Sequence, residues 1–203
     1  MTSRRKQLTE EMKAAVRTAA ASLFAEKGYH SVTMREIAKE AGCSHTAIYL
    51  YFKNKEDLLQ QIAIPPLLEL EQRVQQIISN QSLNSMDKVI AACSDYVVFC
   101  LTNGSLHTVL LMSGSVRVDD PNPELEVNHI RNRLFGHIMK QLQEAVQTSD
   151  SDKILNNGRV LVYYMQGFIS TYADHSEETT ALLERTLPIF QEGIRLLVKG
   201  MRP

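Results

Sequence analysis

Hydrophobic residues recur every three or four positions along most of the chain, and this spacing predicts an all-α protein. Met12, Val16, Ala20 and Leu23 follow it near the start, as the buried face of an amphipathic helix does. The apolar run at 159–169 lies inside a longer helical pattern, so it predicts no strand. We predict about nine helices, at approximately residues 9–27, 33–41, 44–52, 55–79, 86–103, 105–116, 123–148, 152–174 and 178–200.

Local signals mark the ends of the first two helices. Thr9 is a candidate N-cap and Gly28 a candidate stop, because hydroxyls cap helix starts and glycine accepts the left-handed conformation that ends many helices. Thr33 and Glu36 have the spacing of a capping box, and Gly42 ends the helix that they begin.

The fourth helix begins after Asn54, a candidate N-cap. Glu56 and Asp57 then lie in its first turn, where the helix dipole favours negative charge. Pro65 and Pro66 interrupt the pattern later on and predict a bend or a break.

Residues 33–59 hold two short helices joined by a tight turn, which is the arrangement of a helix-turn-helix. The second of these, about 44–52, is too short to be stable alone. Ala38 and Ala41 allow it to pack closely, and Ile48 and Phe52 form its inner side. The opposite side carries Thr46 and Leu50, flanked by His45, Ala47 and Tyr49, and is expected to enter a DNA major groove.

The pattern Thr33-x-x-x-Ile37-Ala38-x-x-Ala41-Gly42-x-Ser44, followed by Ile48-Tyr49-x-Tyr51-Phe52-x-Asn54-Lys55-Glu56-x-Leu58-Leu59, resembles the DNA-binding domain of TetR-type (tetracycline-repressor-like) regulators over about residues 10–60. The resemblance implies phosphate contacts at Thr33, Met34 and Arg35. It implies base and phosphate contacts at Ser44, His45, Thr46, Ala47, Tyr49, Leu50 and Tyr51, and a phosphate contact at Lys55.

The chemistry of these side chains agrees with such roles. Helix N-termini and hydroxyls suit phosphates, His45 offers hydrogen bonds to a base edge, and Leu50 suits a thymine methyl. The sequence departs from the family pattern at Cys43, Thr46 and Ala47, where valine, glycine and a small hydroxyl residue are common. Other interpretations stay open: Tyr49 and Tyr51 as core aromatics, His45 as an idle surface residue, Arg35 as a partner of Glu36, and residues 4–6 as either a DNA-contacting arm or a solvated tail.

Composition and charge favour a soluble DNA-binding protein in the cytoplasm. The 203 residues carry a net charge of −1, but residues 1–57 are net positive and residues 58–203 net negative. With the helix-turn-helix, this asymmetry predicts a DNA-binding domain at 1–57. The resemblance and the helices that follow indicate a ligand-binding and dimerisation domain at 58–203. We expect no membrane span and no signal peptide. Three cysteines form no even disulfide framework.

The last two helices predict a homodimer. Leu183, Leu187, Phe190, Ile194 and Leu197 are spaced by four and three, and Leu182, Ile189 and Leu196 form a second apolar row. One row suits the core and the other a second chain, with Val160 and Gly167 of the preceding helix beside them. A homodimer places two reading helices about 34 Å apart on a palindromic operator. The alternative is one large monomer core.

The middle helices contain apolar walls with a few polar groups, which suits a pocket for a small, largely apolar effector. The family resemblance implies that such an effector shifts the dimer away from operator binding. Its candidate residues are Tyr96, Phe99, Cys100, His107, Leu110, Leu111, Tyr163, Tyr164, Gln166 and Phe168. The same residues also describe an ordinary core.

Other functions have weaker support. No nucleophile, phosphate-loop or dinucleotide motif supports an enzyme, and we expect no cofactor and no metal, although His129 and His137 lie eight residues apart. Cys93 and Cys100 share a helix face, either as oxidant sensors or as buried apolar residues. The leading hypothesis is a ligand-responsive repressor. The alternative is a chromosome-organising or division-linked DNA-binding protein without a ligand.

Overall fold

The computed structural model describes residues 2–103, 123, 125–173 and 175–202, and these ranges contain helices and no strand. The predicted all-α class is therefore confirmed. The helices are α1 (Thr2–Lys27), α2 (Met34–Glu40), α3 (His45–Ile48), α4 (Lys55–Ser79), α5 (Ser85–Thr102), α6 (Glu126–Val146), α7 (Ser151–Tyr172) and α8 (Thr179–Gly200). The helix predicted at 105–116 lies outside the described residues. No described helix combines the length and hydropathy that a membrane crossing requires.

Two helix ends differ most from the prediction. Helix α1 begins at Thr2, because nothing between Thr2 and Thr9 breaks a helix and pairs such as Gln7–Glu11 support its exposed side. Residues 4–6 are thus helical and do not form a flexible arm. Helix α3 ends at Ile48 and not at Phe52. The amides of Leu50 and Tyr51 donate to carbonyl oxygens three residues earlier, not four as in an α-helix.

Helix α4 continues through Pro65 and Pro66, so the chain does not break there, and the alternative of a bend stays a prediction. The two prolines donate no backbone hydrogen bond. The helix persists because an entire face of it is fully buried, including Leu59, Ala63 and Leu67. Apolar burial of this extent outweighs two missing hydrogen bonds.

The described chain groups into two compact units, called here the N-terminal unit (residues 2–66) and the C-terminal unit (the described residues from 67 onward). The domain boundary predicted after residue 57 falls inside α4 and stays a prediction. In the N-terminal unit, α2 packs against both α1 and α3. Its core contains Phe24, Ile37, Ile48 and Phe52, all at most 1% exposed.

The C-terminal unit packs α5 against α6, α7 and α8. A close approach joins α7 to α8, where the Tyr164 ring stacks on Phe190 at 5.3 Å between centroids. The Tyr164 hydroxyl donates to the carbonyl oxygen of Phe190 at 3.3 Å. A side chain at Gly193 would overlap this hydroxyl, so the glycine is what lets the ring lie across α8.

Candidate nucleic-acid interface

The start of α2 is fixed by a complete capping box, as predicted. The Thr33 amide and hydroxyl donate to Glu36 Oε2 at 2.9 and 2.8 Å, and the Glu36 amide donates to Thr33 Oγ1 at 3.3 Å. Hydrogen bonds from Thr33 hold the pKa of the Glu36 carboxyl below its usual value, with a smaller contribution from Lys27. The backbone at the N-terminus of α2 is therefore held in one conformation.

The turn between α2 and α3 is equally well determined. Gly42 adopts a φ of +70°, its amide donates to the Lys39 carbonyl at 3.2 Å, and the Cys43 amide donates to the Ala38 carbonyl at 2.9 Å. This pair of bonds is a Schellman motif. Ser44 Oγ then accepts from the Ala47 amide at 3.1 Å, which caps α3 and leaves the hydroxyl hydrogen available for another acceptor.

Helix α3 separates its inner and outer sides as predicted. Ile48 is fully buried, whereas Tyr49 is 46% and Leu50 78% exposed. His45 and Thr46 are also exposed, and the His45 and Tyr49 rings meet edge to face at 5.2 Å. Tyr49 is thus no core residue. Large apolar side chains held outward on a capped helix form a surface suited to base edges and thymine methyls.

The remaining candidate DNA contacts divide by exposure. Arg35 is exposed, and Ala47 and Tyr51 are half-buried. Met34 is only 8% exposed, so any DNA contact at this position falls to its backbone amide. A groove of about 490 Å³ beside α3 is lined by Arg35, Glu36, Ala38, Lys39, Cys43 and His45.

Lys55 has partners of its own within the N-terminal unit. Its ammonium donates to the carbonyl oxygens of Tyr29 at 2.7 Å and Val32 at 2.8 Å, and it lies 4.3 Å from the centre of the Tyr29 ring. Burial lowers the pKa of Lys55, and Glu36 opposes this shift. Lys55 therefore ties the α1–α2 loop to the start of α4. The predicted phosphate contact has to compete with these carbonyls.

The predicted effector pocket is only partly assembled in the described residues. Tyr96, Phe99 and Cys100 of α5 are buried, and Tyr164, Gln166 and Phe168 of α7 are half-buried. Tyr163 is 66% exposed. Because successive helical residues point about 100° apart, Tyr163 faces outward while its neighbour faces inward, and it does not belong to the pocket. His107, Leu110 and Leu111 lie outside the described residues.

The predicted dimer interface needs a correction on α8. Phe190 and Ile194 are 0% exposed within one chain, so they have no surface to offer a second one. The inner row runs at intervals of four through Leu182, Thr186, Phe190, Ile194 and Val198, all buried. Apolar spacing alone does not identify this row, because it contains a polar residue, Thr186, whose hydroxyl donates to the Leu182 carbonyl at 2.7 Å.

A different set of apolar side chains lies on the surface of α7 and α8. Ile189 is 69% and Leu196 61% exposed, beside Tyr163 and the 43%-exposed Val160. Gly167 is exposed, and Leu183, Leu187 and Leu197 are half-buried. We call Val160, Tyr163, Ile189 and Leu196 the outer apolar face. The seven-residue spacing from Ile189 to Leu196 is the sequence signal that identifies it.

Comparison with known proteins finds similarity to bacterial regulatory proteins. Residues 16–62 match the model of "Bacterial regulatory proteins, tetR family". The "Fatty acid metabolism regulator protein" of Bacillus subtilis is 27% identical over 132 residues, 65% of this chain and 66% of that protein. The "HTH-type transcriptional regulator HbdR" of Aromatoleum is 44% identical over 52 residues, 26% of this chain and 23% of that protein. The chain thus aligns with just under two thirds of the first relative and about a quarter of the second.

Solved structures share the fold across nearly the whole chain. Regulator PfmR of Thermus thermophilus has a TM-score of 0.65 at 18% identity, covering 93% of this chain and 99% of its own. Regulator FadR of Bacillus subtilis, solved with stearoyl-CoA, has a TM-score of 0.67 at 22% identity, covering 92% and 98%. These likenesses establish the architecture, and the sequence match establishes the helix-turn-helix. Together, the family-model match, the curated relatives and the shared fold support a TetR-family transcriptional regulator.

Proposed function

We propose that the chain is a cytoplasmic transcriptional repressor that binds a palindromic operator as a homodimer. The outer side of α3 carries this proposal. Tyr49 and Leu50 are held outward in the turn that directly follows α3, a helix whose start and preceding turn are fixed by caps. Two adjacent, exposed large side chains at the end of a helix-turn-helix suit an interaction surface. Contact with a major groove gives that exposure a function.

The outer apolar face supports the homodimer. Its four exposed apolar side chains come from two helices that pack against each other, and exposed apolar residues of this kind are typical of a protein interface. A two-fold symmetric dimer pairs the same surface on both chains. It also presents two copies of α3 to two half-sites, which is the arrangement that a palindrome requires.

The effector is proposed to have a long apolar part. A Bacillus subtilis relative is named for fatty acid metabolism, and the FadR structure contains stearoyl-CoA. In this chain the inward residues of α5 include Cys93, Val97 and Phe99, all buried. An apolar effector that binds better to one form of the dimer shifts the population toward that form. Repression ends if the favoured form has low operator affinity.

The experiment is selection of fragmented genomic DNA by the purified protein at about 0.15 M salt, followed by sequencing. We expect enrichment of one or a few palindromes. His45→Ala should change the preferred bases, whereas the matched His30→Ala, in the α1–α2 loop, should not. Scattered sites favour the chromosome-organising alternative. Lack of enrichment, even with protein refolded to remove bound effector, contradicts the proposal.

A further inference from the structure

A cluster of polar side chains lies inside the C-terminal unit, between α5 and α6. Tyr96 and Cys100 come from α5, and Asn128 and Arg131 come from α6. Each is at most 4% exposed. Apolar residues surround them, and the Phe135 ring lies 5.8 Å from the Tyr96 ring. Polar groups buried this deeply need hydrogen-bond partners.

The hydrogen bonds inside this cluster are incomplete in a particular way. Arg131 Nη1 donates to Asn128 Oδ1 at 3.0 Å, and the Tyr96 hydroxyl is hydrogen-bonded to Arg131 and Cys100. Two buried atoms have no partner, Arg131 Nε and Asn128 Nδ2. Because Arg131 donates to the oxygen of the Asn128 amide, the unpartnered atom of that amide is its nitrogen. Both unpartnered atoms are therefore N–H donors. What is missing is therefore an acceptor.

The charge of the cluster is also uncompensated. A guanidinium stays protonated in a protein, and a buried charge is normally paired. Among the described residues no carboxylate lies within ion-pair distance of Arg131. Arg133, two residues along the same helix, differs: its Nε and Nη2 donate to the Glu71 carboxylate at 2.8 and 3.0 Å.

Neither neighbour of Arg131 on α5 supplies the negative charge. Burial raises the pKa of the Cys100 thiol to about 12. Burial, with a smaller contribution from Cys100, also raises the pKa of Tyr96 above its ordinary value. Both side chains are neutral near pH 7. Among the residues that the structure describes, the cluster therefore keeps one positive charge without a counter-ion and two donors without a partner.

We propose that Tyr96, Cys100, Asn128 and Arg131 form a carboxylate site that binds the acidic head of an otherwise apolar effector. A carboxylate carries one negative charge, matching the single guanidinium, and its two oxygens suit donors at Arg131 Nε and Asn128 Nδ2. A phosphate monoester carries almost two charges, more than this site neutralises. The inference rests on the proposed effector response and refines it, because the effector becomes an apolar acid.

The test uses the full chain and three matched sets of probes. These are straight-chain carboxylates of eight to sixteen carbons, their methyl esters, and alkyl phosphates of the same lengths, measured by calorimetric titration and thermal shift. In the wild-type protein we expect the best carboxylate to bind at least about tenfold more tightly than its ester, the range for a hydrogen bond to a charged group. Arg131→Gln should abolish this preference, and Arg131→Lys should keep part of it.

The control is Lys140→Gln, which removes one positive charge from an exposed position of the same helix and should leave the preference intact. Arg131→Met should match or exceed the wild-type melting temperature without ligand, since it removes an unpaired buried charge. A marked loss of melting temperature would mean that Arg131 is a structural group, and the proposal would fail.

Three results overturn the carboxylate site: esters that bind as well as acids, a carboxylate preference that survives Arg131→Gln, or a wild-type protein that binds no probe or prefers the phosphates. Operator binding is measured in parallel. If the wild-type protein selects a palindrome and no carboxylate binds, only the carboxylate site fails. If it selects no DNA, the proposed function fails.

Discussion

The two units differ in how completely their polar groups are hydrogen-bonded. In the N-terminal unit, the capping box, the Schellman turn and the Lys55 ammonium satisfy the groups at the helix ends and the α1–α2 loop. In the C-terminal unit, four buried side-chain atoms of the described residues have no partner: Asn128 Nδ2, Arg131 Nε, Gln141 Oε1 and His175 Nδ1.

This difference follows from what each unit is proposed to bind. A surface that contacts DNA bases benefits from complete hydrogen bonds within the protein, because the side chains that contact the bases then keep one geometry. A site that encloses a small molecule must keep some bonding capacity for it, at a cost in stability. These two kinds of binding predict unpartnered donors in the C-terminal unit and none in α3.

The largest expected effect comes from adjacent residues of α8. Phe190→Asp should unfold the chain, because the cavity alone costs about 3–5 kcal/mol and the buried charge adds to it. Ile189→Asp should give folded monomers, because Ile189 belongs to the outer apolar face. Circular dichroism reports folding, and light scattering reports mass. A folded Phe190→Asp monomer, together with an Ile189→Asp dimer, would restore the interface first predicted from the sequence.

The labelling rates of the three cysteines compare how well each unit buries its thiols. Burial raises the pKa of Cys93 and Cys100 to about 12, so at pH 8 roughly one thiol in ten thousand is ionised. Burial also raises the pKa of Cys43, which is half-buried. Labelling with a disulfide reagent should modify Cys43 first and the other two at least about a hundredfold more slowly. Fast labelling of Cys100 in the folded protein would support the oxidant-sensing alternative.

A glycine substitution tests how much the turn between α2 and α3 depends on Gly42 for its stability. Gly42→Ala places a side chain at a φ of +70°, which should cost about 1–2 kcal/mol of unfolding free energy. The matched exchange is Gly136→Ala inside α6, where space is open. It should stabilise by about 0.5–1 kcal/mol. Opposite signs in urea titrations are expected, and equal signs would contradict the account of the turn.

Lys55→Met tests whether this lysine serves the fold or the DNA. Loss of its bonds to Tyr29 and Val32 should destabilise by about 1 kcal/mol and speed amide exchange in the α1–α2 loop, unlike the control Lys53→Met. If Lys55 also contacts a phosphate, the slope of log affinity against log salt should fall by about one. An unchanged slope with weaker binding would make the lysine a positioning residue only.

The smallest effect is acid sensitivity at the capping box. The folded-state pKa of Glu36 is lowered, chiefly by hydrogen bonds from Thr33. Its contribution to stability is therefore present above the ordinary carboxyl value and is lost as pH falls through the folded value. Thr33→Ala should move the Glu36 pKa back toward 4.5, as measured by NMR titration. A pKa that does not move would place the cause outside the cap.

The N-terminal unit was largely predictable because its signals are local. A capping box spans four residues and a left-handed glycine needs one, so Thr33, Glu36 and Gly42 identify helix ends without knowledge of the rest of the fold. The outward position of Leu50 followed from periodicity alone. The early end of α3 did not, since its last turn depends on packing.

The C-terminal unit was less predictable because burial there depends on contacts distant in sequence. Thr186 and Arg131 are both buried, although apolar periodicity assigns neither of them to the core. Arg131 nevertheless carries a signal, because it sits on the helical face of Val127, Ile130 and Leu134. A lone cation in an apolar row is a cue to look for its counter-ion.

The packing of Tyr164 across Gly193 restricts how this protein can evolve. Any other residue at position 193 would overlap the tyrosine hydroxyl, and the ring is held by its stack and hydrogen bond to Phe190. A smaller residue at position 164 removes that obstacle. The two substitutions are therefore epistatic: the change at 164 opens a path to the change at 193, while the reverse order passes through a damaged protein.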